Sequence, residues 1–143
     1  MDDVARLAAI EDIRRLKARY YRCMDTKDWD GFRDVFALDG EMDMRAEAGD
    51  AGLVRGNQAI ADFVRGAVGP VVTAHHGHMP EIEVTSPTTG TGVWAMEDEL
   101  WWPDGMHMHG WGHYHETYTR GPEGWRIQTL TLTRLRVDRQ AGA

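Results

Sequence analysis

Three histidines, His75, His76 and His78, fall within four positions of the stretch Thr73 to Val84, TAHHGHMPEIEV. Proton transfer at neutral pH would start most easily there. Histidine is the side chain whose ordinary pKa lies nearest physiological pH, and a carboxylate or phenol beside it sets it up as a base or an acid. In an extended segment His75 and Gly77 share one face and His76 and His78 the other, so one parity faces a pocket. Gly77 admits close approach of backbone or ligand, and Pro80 favours extended geometry at Met79. The partners of a catalytic histidine have to come from other parts of the chain.

Candidate partners lie on several segments. In VWAMEDELWW the residues Trp94, Met96, Asp98, Leu100 and Trp102 alternate onto one strand face, which leaves Asp98 inside an apolar row. It either meets a histidine or lies at a wet end of the sheet. In TLTLTRLRV the residues Leu130, Leu132, Arg134 and Arg136 share a face. Arg134 either holds a carboxylate of the site or an anionic substrate group, or is an exposed arginine near a strand end. Tyr20 sits in an apolar helix stripe and Asp25 follows at the helix end. A buried phenol needs a partner, and the aspartate either orients a histidine or serves the turn. His107, His109, Trp111, His113 and His115 share one face of HMHGWGHYHE, opposite Tyr114 and Tyr118. Two histidines at i and i+2 can share a metal. The spacing matches no metal motif and no carboxylate follows at a ligand offset, so the row is expected to be an outer or inter-subunit face, without a physiological metal.

The elements that must position these groups follow from hydrophobic period and turn chemistry. Apolar residues at Leu7, Ile10, Ile13, Leu16, Tyr20 and Met24 predict an amphipathic helix from Val4 to Met24. Thr26 or Asp28 is placed to cap a second helix carrying Trp29, Phe32, Val35 and Phe36, with Asp39-Gly40 as a turn after it. A short strand over Glu41 to Arg45, a loop through Gly52, and a helix from Gln58 to Arg65 capped by Asn57 are expected next, the helix turning Ile60, Phe63 and Val64 inward and ending in Gly66 to Pro70. After Pro70 the turns Ser86 to Gly90, Pro103 to Gly105 and Gly121 to Gly124 bound four long strands. Three of these are Thr91 to Trp102, Met106 to Arg120 and Trp125 to Asp138. They predict an α+β fold in which an antiparallel sheet curves around the leading helices, with a disordered tail over Arg139 to Ala143.

Composition narrows the function classes. A chain of 143 residues fits one domain. A formal charge of −7 without a dense Lys/Arg run argues against nucleic acid and acidic lipid as partners. The lone Cys23 excludes an internal disulfide and a cysteine-built zinc site. The acidic start MDDVARLAAI lacks the pattern of a signal peptide, and no window reaches transmembrane length, so a cytoplasmic location is expected. Six Trp and eight Met suggest broad, adaptable apolar surfaces.

The segments KARYYRCMDTKDWD, HHGHMPEI, TTGTGVWAMEDEL and EGWRIQTLTLTRL resemble, in the same order, those of the SnoaL-like branch of the nuclear transport factor 2-like superfamily, and within it the bile-acid 7α-dehydratases. Scytalone dehydratase and ketosteroid isomerase belong to the same superfamily. The resemblance spans nearly the whole chain and implies one SnoaL-like domain over residues 1–143. The fold it implies is a cone-shaped, curved mixed or antiparallel sheet wrapped around N-terminal helices and enclosing a hydrophobic pocket. The implied activity is a cofactor-independent, metal-free dehydratase that eliminates water from a hydrophobic hydroxylated carbonyl compound, steroid-like or aromatic-polyketide-like. A ketosteroid-isomerase-like isomerase and a non-catalytic ligand-binding or assembly subunit are the alternatives. It assigns the site to Tyr20, Asp25, His75, Asp98 and Arg134, choosing His75 among the three histidines. Trp94, Met96, Leu100, Leu132, Met44 and His78 are expected to line the substrate pocket. Hexachlorocyclohexane dehydrochlorinases are similar too, but Tyr20 stands where their lysine is expected. Partners are expected to be a small hydrophobic substrate and further copies of the chain, as a dimer or trimer.

Overall fold

A computed structural model describes residues 1–142. Helix α1 runs from Asp3 to Asp25, with the Asp2 side chain accepting from the Ala5 amide as its N-cap. Its inward stripe holds Ile13, Leu16, Tyr20 and Met24, whereas Leu7 is exposed because the helix extends past the core at its start. The helix ends in two bonds, from the Asp28 amide to the Cys23 carbonyl and from the Lys27 amide to the Met24 carbonyl. This is a Schellman closure with Lys27, at φ 63°, in the left-handed position that glycine usually takes. Asp28 then caps α2, Trp29–Val35, through the Gly31 amide.

The segment after α2 departs from the expected pattern. Phe36 leaves the helix and opens strand β1, Phe36–Asp43, so Asp39-Gly40 lies in a register irregularity within a strand and not in a turn. The expected loop contains a short helix α3, Arg45–Ala48, and a 3-10 turn, Gly49–Gly52, followed by the unforeseen strand β2, Leu53–Arg55. Elements of three or four residues carry too few periods to show in a sequence. Helix α4, Asn57–Val68, is preceded by Gly56 at φ 92°, so Asn57 is its first residue and not its cap, and Gly66 lies inside it. Ile60 and Val64 are buried as expected, and Phe63 is partly buried against the core.

Four long strands complete the chain: β3, Val72–Ser86; β4, Thr89–Trp101; β5, His107–Gly121; and β6, Gly124–Gln140. The six-stranded sheet has the order β2-β1-β6-β5-β4-β3. It is mixed, because β1 runs parallel to β6 while the other pairs are antiparallel. Arg139 and Gln140 belong to β6 and not to a disordered tail; Ala143 lies outside the described residues. Met79, at φ 21°, sits in a bulge between His78 and Glu81, which overturns the extended geometry expected before Pro80.

Strand β6 carries two bulges. Thr117 pairs with Thr129 and Tyr118 with Ile127; further on, Gly112 pairs with Arg134 and Trp111 with Arg136. Each extra residue reverses side-chain parity. The inward row therefore runs Trp125 and Ile127, then Leu130, Leu132 and Arg134, then Val137. Arg136, expected beside Arg134, is thrown to the outer face and ion-pairs with Asp138.

Helices α1, α2 and α4 and the concave sheet face bury one main apolar cluster around Ile13, Leu16, Phe32, Phe36, Ile60 and Ile127. A smaller cluster of Val71, Leu100 and Met108 continues it. Among the described residues no helix is long and apolar enough to cross a membrane.

Candidate active site

The register of the long strands sets the site. His75 on β3 is opposite Asp98 on β4, which is opposite Gly110 on β5. Alternation turns His75 and Asp98 to the concave face and His76 and His78 to the convex one, where the latter two rings stack. Asp98 is therefore buried and not at a wet sheet end. Gly77, the next inward position, leaves room for the Tyr21 ring, which a Cβ there would strike.

Asp25 at the end of α1 reaches across to β3. Its Oδ2 accepts from the His75 amide at 2.9 Å, and its Oδ1 accepts from the Thr73 hydroxyl at 2.9 Å and from His75 Nδ1 at 2.7 Å. Lys27, in its left-handed position, donates to the same threonine hydroxyl at 3.1 Å. Burial pushes the Asp25 carboxyl up, but the hydrogen bonds from His75 and Thr73 outweigh it and hold the group below its ordinary pKa. An ionised carboxylate only accepts, so His75 Nδ1 must carry the proton, and in the neutral ring Nε2 carries the lone pair.

On that side Nε2 lies 3.8 Å from Asp98 Oδ2. Asp98 is clamped by Arg134 through two parallel bonds, Nη1 to Oδ1 at 2.7 Å and Nη2 to Oδ2 at 3.0 Å. The third guanidinium donor, Nε, goes to Glu47 on α3. Burial acts against the charge on Arg134, yet its pairs with Asp98 and Glu47 prevail and raise its pKa above the ordinary value. Arg134 thus holds Asp98 and does not touch Asp25.

These groups open into a cavity of about 350 Å³ whose wall includes Tyr20, His75, Asp98 and Arg134. Its remaining wall is largely apolar, with Met24, Met42, Phe63, Val64 and Trp102 among the contributors. Such a volume suits a small organic ligand. Burial raises the Tyr20 phenol well above its ordinary pKa, with the Tyr114 hydroxyl acting the other way, so Tyr20 is a protonated hydrogen-bond donor across the neutral range.

Of the expected pocket residues Met44, Leu100 and Leu132 line this cavity. Trp94, Met96 and His78 do not. Trp94 is turned to the Tyr118 hydroxyl, to which it donates at 2.9 Å. Met96 is buried behind Arg134, with its sulfur 3.7 Å from Nη1. His78 is on the convex face, 3.6 Å from Glu97.

The row His107, His109, His113 and His115 is also convex; His109 bonds Glu97 at 2.6 Å and His107 lies 3.7 Å from Glu99. Among the described residues no three histidines, cysteines or carboxylates are grouped to hold a metal ion.

Several groups escaped the sequence reading. Glu47 and Tyr114 line the cavity, and a buried ion pair, Lys17 with Glu116 at 2.6 Å, lies behind it. Lys17 follows Ile13 by four residues and precedes Tyr20 by three, and Glu116 shares parity with Tyr114 and Tyr118. Both charges were therefore marked as inward by the same periodicities that found the core.

The fold recurs in solved structures. A hexachlorocyclohexane dehydrochlorinase from Novosphingobium barchaimii superposes with a TM-score of 0.86 at 19% identity, over 99% of this chain and 97% of that one. A scytalone-dehydratase-like protein from Novosphingobium aromaticivorans gives 0.84 at 17% identity, over 95% and 92%. A protein of unknown function from Mycobacterium tuberculosis gives 0.76 at 26% identity, over 89% and 76%. In sequence, residues 5–131 match the SnoaL-like domain. With helices packed into a curved mixed sheet and this match over most of its length, the chain belongs to the SnoaL-like family of the nuclear transport factor 2-like superfamily.

Proposed function

We propose that the protein is a cofactor-independent lyase, a dehydratase that removes water from a hydrophobic hydroxylated carbonyl compound. The observation that carries this reading is the orientation of His75. Its Nδ1 is committed to the Asp25 carboxylate, which leaves Nε2 on the side of Asp98, and the residue lines a largely apolar cavity together with a phenol and a clamped ion pair.

In this reading His75 Nε2 takes the proton from the carbon next to the carbonyl. The C–H electron pair moves toward the carbonyl oxygen, whose growing charge receives a hydrogen bond from Tyr20. When that charge returns, the carbon–carbon double bond forms and the β-hydroxyl leaves with the proton from Nε2, as water. Asp25 keeps the ring in one tautomer, and Asp98, fixed by Arg134, stabilises the imidazolium between the two steps. The apolar wall of Met44, Leu100 and Leu132 excludes water and strengthens each of these interactions. The structural relationship to a dehydrochlorinase and a scytalone-dehydratase-like protein agrees with elimination chemistry.

The test is turnover of a panel of β-hydroxy ketones and aromatic hydroxy ketones, followed by mass spectrometry. A product lighter by one water is expected, whereas an isomerase would return the same mass. His75→Ala and Tyr20→Phe are expected to lower kcat by roughly a hundred-fold or more. Near wild-type turnover in either variant would sink the assignment.

A further inference from the structure

The buried ion pair behind the cavity has no role in the steps above. Lys17 is fully buried, and its Nζ meets Glu116 Oε2 at 2.6 Å. The other Glu116 oxygen, Oε1, accepts from the Tyr118 hydroxyl at 2.7 Å, and the Tyr118 hydroxyl in turn accepts from Trp94 Nε1 at 2.9 Å. Both oxygens of Glu116 are thus engaged. A buried ion pair is weak grounds for stability, since apolar residues of similar volume often do as well or better.

The rest of the Lys17 environment is aromatic. Nζ lies 3.6 Å from the centroid of the Tyr20 ring and 3.7 Å from that of Tyr114, with Tyr21 at 5.1 Å. The first two rings meet edge-on, their centroids 5.5 Å apart, so the ammonium rests in the angle between them. Both rings line the cavity and Lys17 does not. A cation on a ring face draws on the π electrons and makes the attached hydroxyl a stronger donor. The two hydroxyls also act on each other: that of Tyr114 lowers the Tyr20 pKa and that of Tyr20 raises the Tyr114 pKa.

We propose that Lys17 is a positioning residue: held by Glu116 against the faces of Tyr20 and Tyr114, its ammonium orients the two phenols and strengthens the hydrogen bond that Tyr20 offers into the cavity. This rests on Tyr20 being the donor in the reaction proposed above, and it adds Tyr114 as the group that supports it. Glu116 alone would oppose such a donor, since its charge disfavours a developing phenolate. Lys17 cancels that charge where it is closest.

Burial lowers the Lys17 pKa to about 8 despite the ion pair with Glu116. The support is therefore lost as pH rises through that value. The other titratable groups facing this point are Glu116, Tyr114 and Tyr118 from β5 and Tyr20 and Tyr21 from α1, with Asp25 and Asp98 acting on Tyr20 from farther away.

The experiment measures binding of 2,4-dinitrophenolate, an oxyanion ionised throughout, between about pH 7 and pH 9.5. Wild type is expected to lose roughly tenfold in affinity across about pH 8. Lys17→Arg, which keeps its charge, is expected to bind with little change over the same range. Lys17→Met combined with Glu116→Gln, which leaves no unpaired charge and keeps an acceptor for Tyr118, is expected to bind about tenfold more weakly at pH 7 and to lose the pH step.

Wild-type affinity and an unchanged pH step in the double variant would overturn the role of Lys17. Tyr20→Phe separates the two readings. If it binds the probe as wild type does, or if wild type does not bind the probe, the Tyr20 donor itself fails. If Tyr20→Phe weakens binding and the Lys17 variants do not, only the present inference fails.

Discussion

At the scale of single residues, the site depends on which nitrogen of His75 carries the proton. Asp25 settles this by accepting three hydrogen bonds at once, from the His75 ring, the His75 amide and Thr73. Asp25→Asn keeps the shape but adds an NH₂ group that can donate to Nδ1, which moves the ring proton to Nε2 and removes the base. Turnover is expected to fall roughly a hundred-fold or more while the fold persists, as read by kcat beside a thermal melt. Arg134 plays a different part. Arg134→Gln leaves Asp98 buried without its cation, and a loss of about 3 kcal/mol is expected in chemical unfolding; a variant as stable as wild type would show that Asp98 finds another partner. The sequence singled out Asp25, Asp98 and Arg134 because each interrupts or ends an apolar pattern. It left open how they pair, since pairing is set by distance across the fold.

At the scale of elements, the arginine reaches Asp98 only because β6 and β5 are built for it. The bulge that pairs Gly112 with Arg134 and Trp111 with Arg136 breaks the alternation after the guanidinium, so that Arg136 turns outward and the next inward position is Val137. Gly110 lies beneath the pair, and a Cβ there would overlap Arg134 Nη1 and Asp98 Oδ1. Gly110→Ala is therefore expected to displace the clamp and lower kcat more than it lowers the melting temperature, because the obstructed atoms are side-chain ends and not backbone. Equal kcat in this variant would count against a role for the clamp. On the opposite wall the Schellman closure of α1 fixes the direction of Asp25, with a lysine in a backbone conformation that costs a non-glycine residue free energy. The bond from Lys27 to Thr73 is what that lysine contributes to the site. The helix end was visible in the sequence, whereas the bulges of β6 were not, since an inserted residue in TLTLTRLRV looks like continued alternation.

At the scale of the whole molecule, buried titratable groups shape stability against pH. Burial raises the pKa of Tyr20, Tyr21, Tyr114 and Tyr118. Above about pH 10 the unfolded chain gives up these protons and the folded chain keeps them, so their contribution is present below pH 10 and is lost as pH rises further. Lys17 has the opposite sign. Between about pH 8 and its ordinary value of 10.5 the unfolded chain holds a proton that the folded chain has released, so stability from this group rises with pH. Asp25, whose pKa is lowered on folding, contributes stability above the ordinary carboxylate range that is lost on acidification. Urea unfolding across pH is therefore expected to show an alkaline decline that begins near pH 10; a decline already under way at pH 8 would mean the tyrosines or Lys17 are not buried as described. By itself the sequence determined the class of fold, the long helix, the four long strands and the inward parity of Asp98 and Arg134, because periods of 3.6 and 2 residues record which side of an element is buried; periodicity left open which of His75, His76 and His78 faces inward, and only the family resemblance favoured His75. Only the tertiary structure decided that Asp25 and not Asp98 holds His75 Nδ1, that Met44 lines the cavity while Trp94, Met96 and His78 do not, and that Lys17 has a carboxylate beneath the tyrosines. Those outcomes depend on cross-strand register, on bulges and on where a helix end meets a strand, and a periodicity carries no distance along or across the sheet.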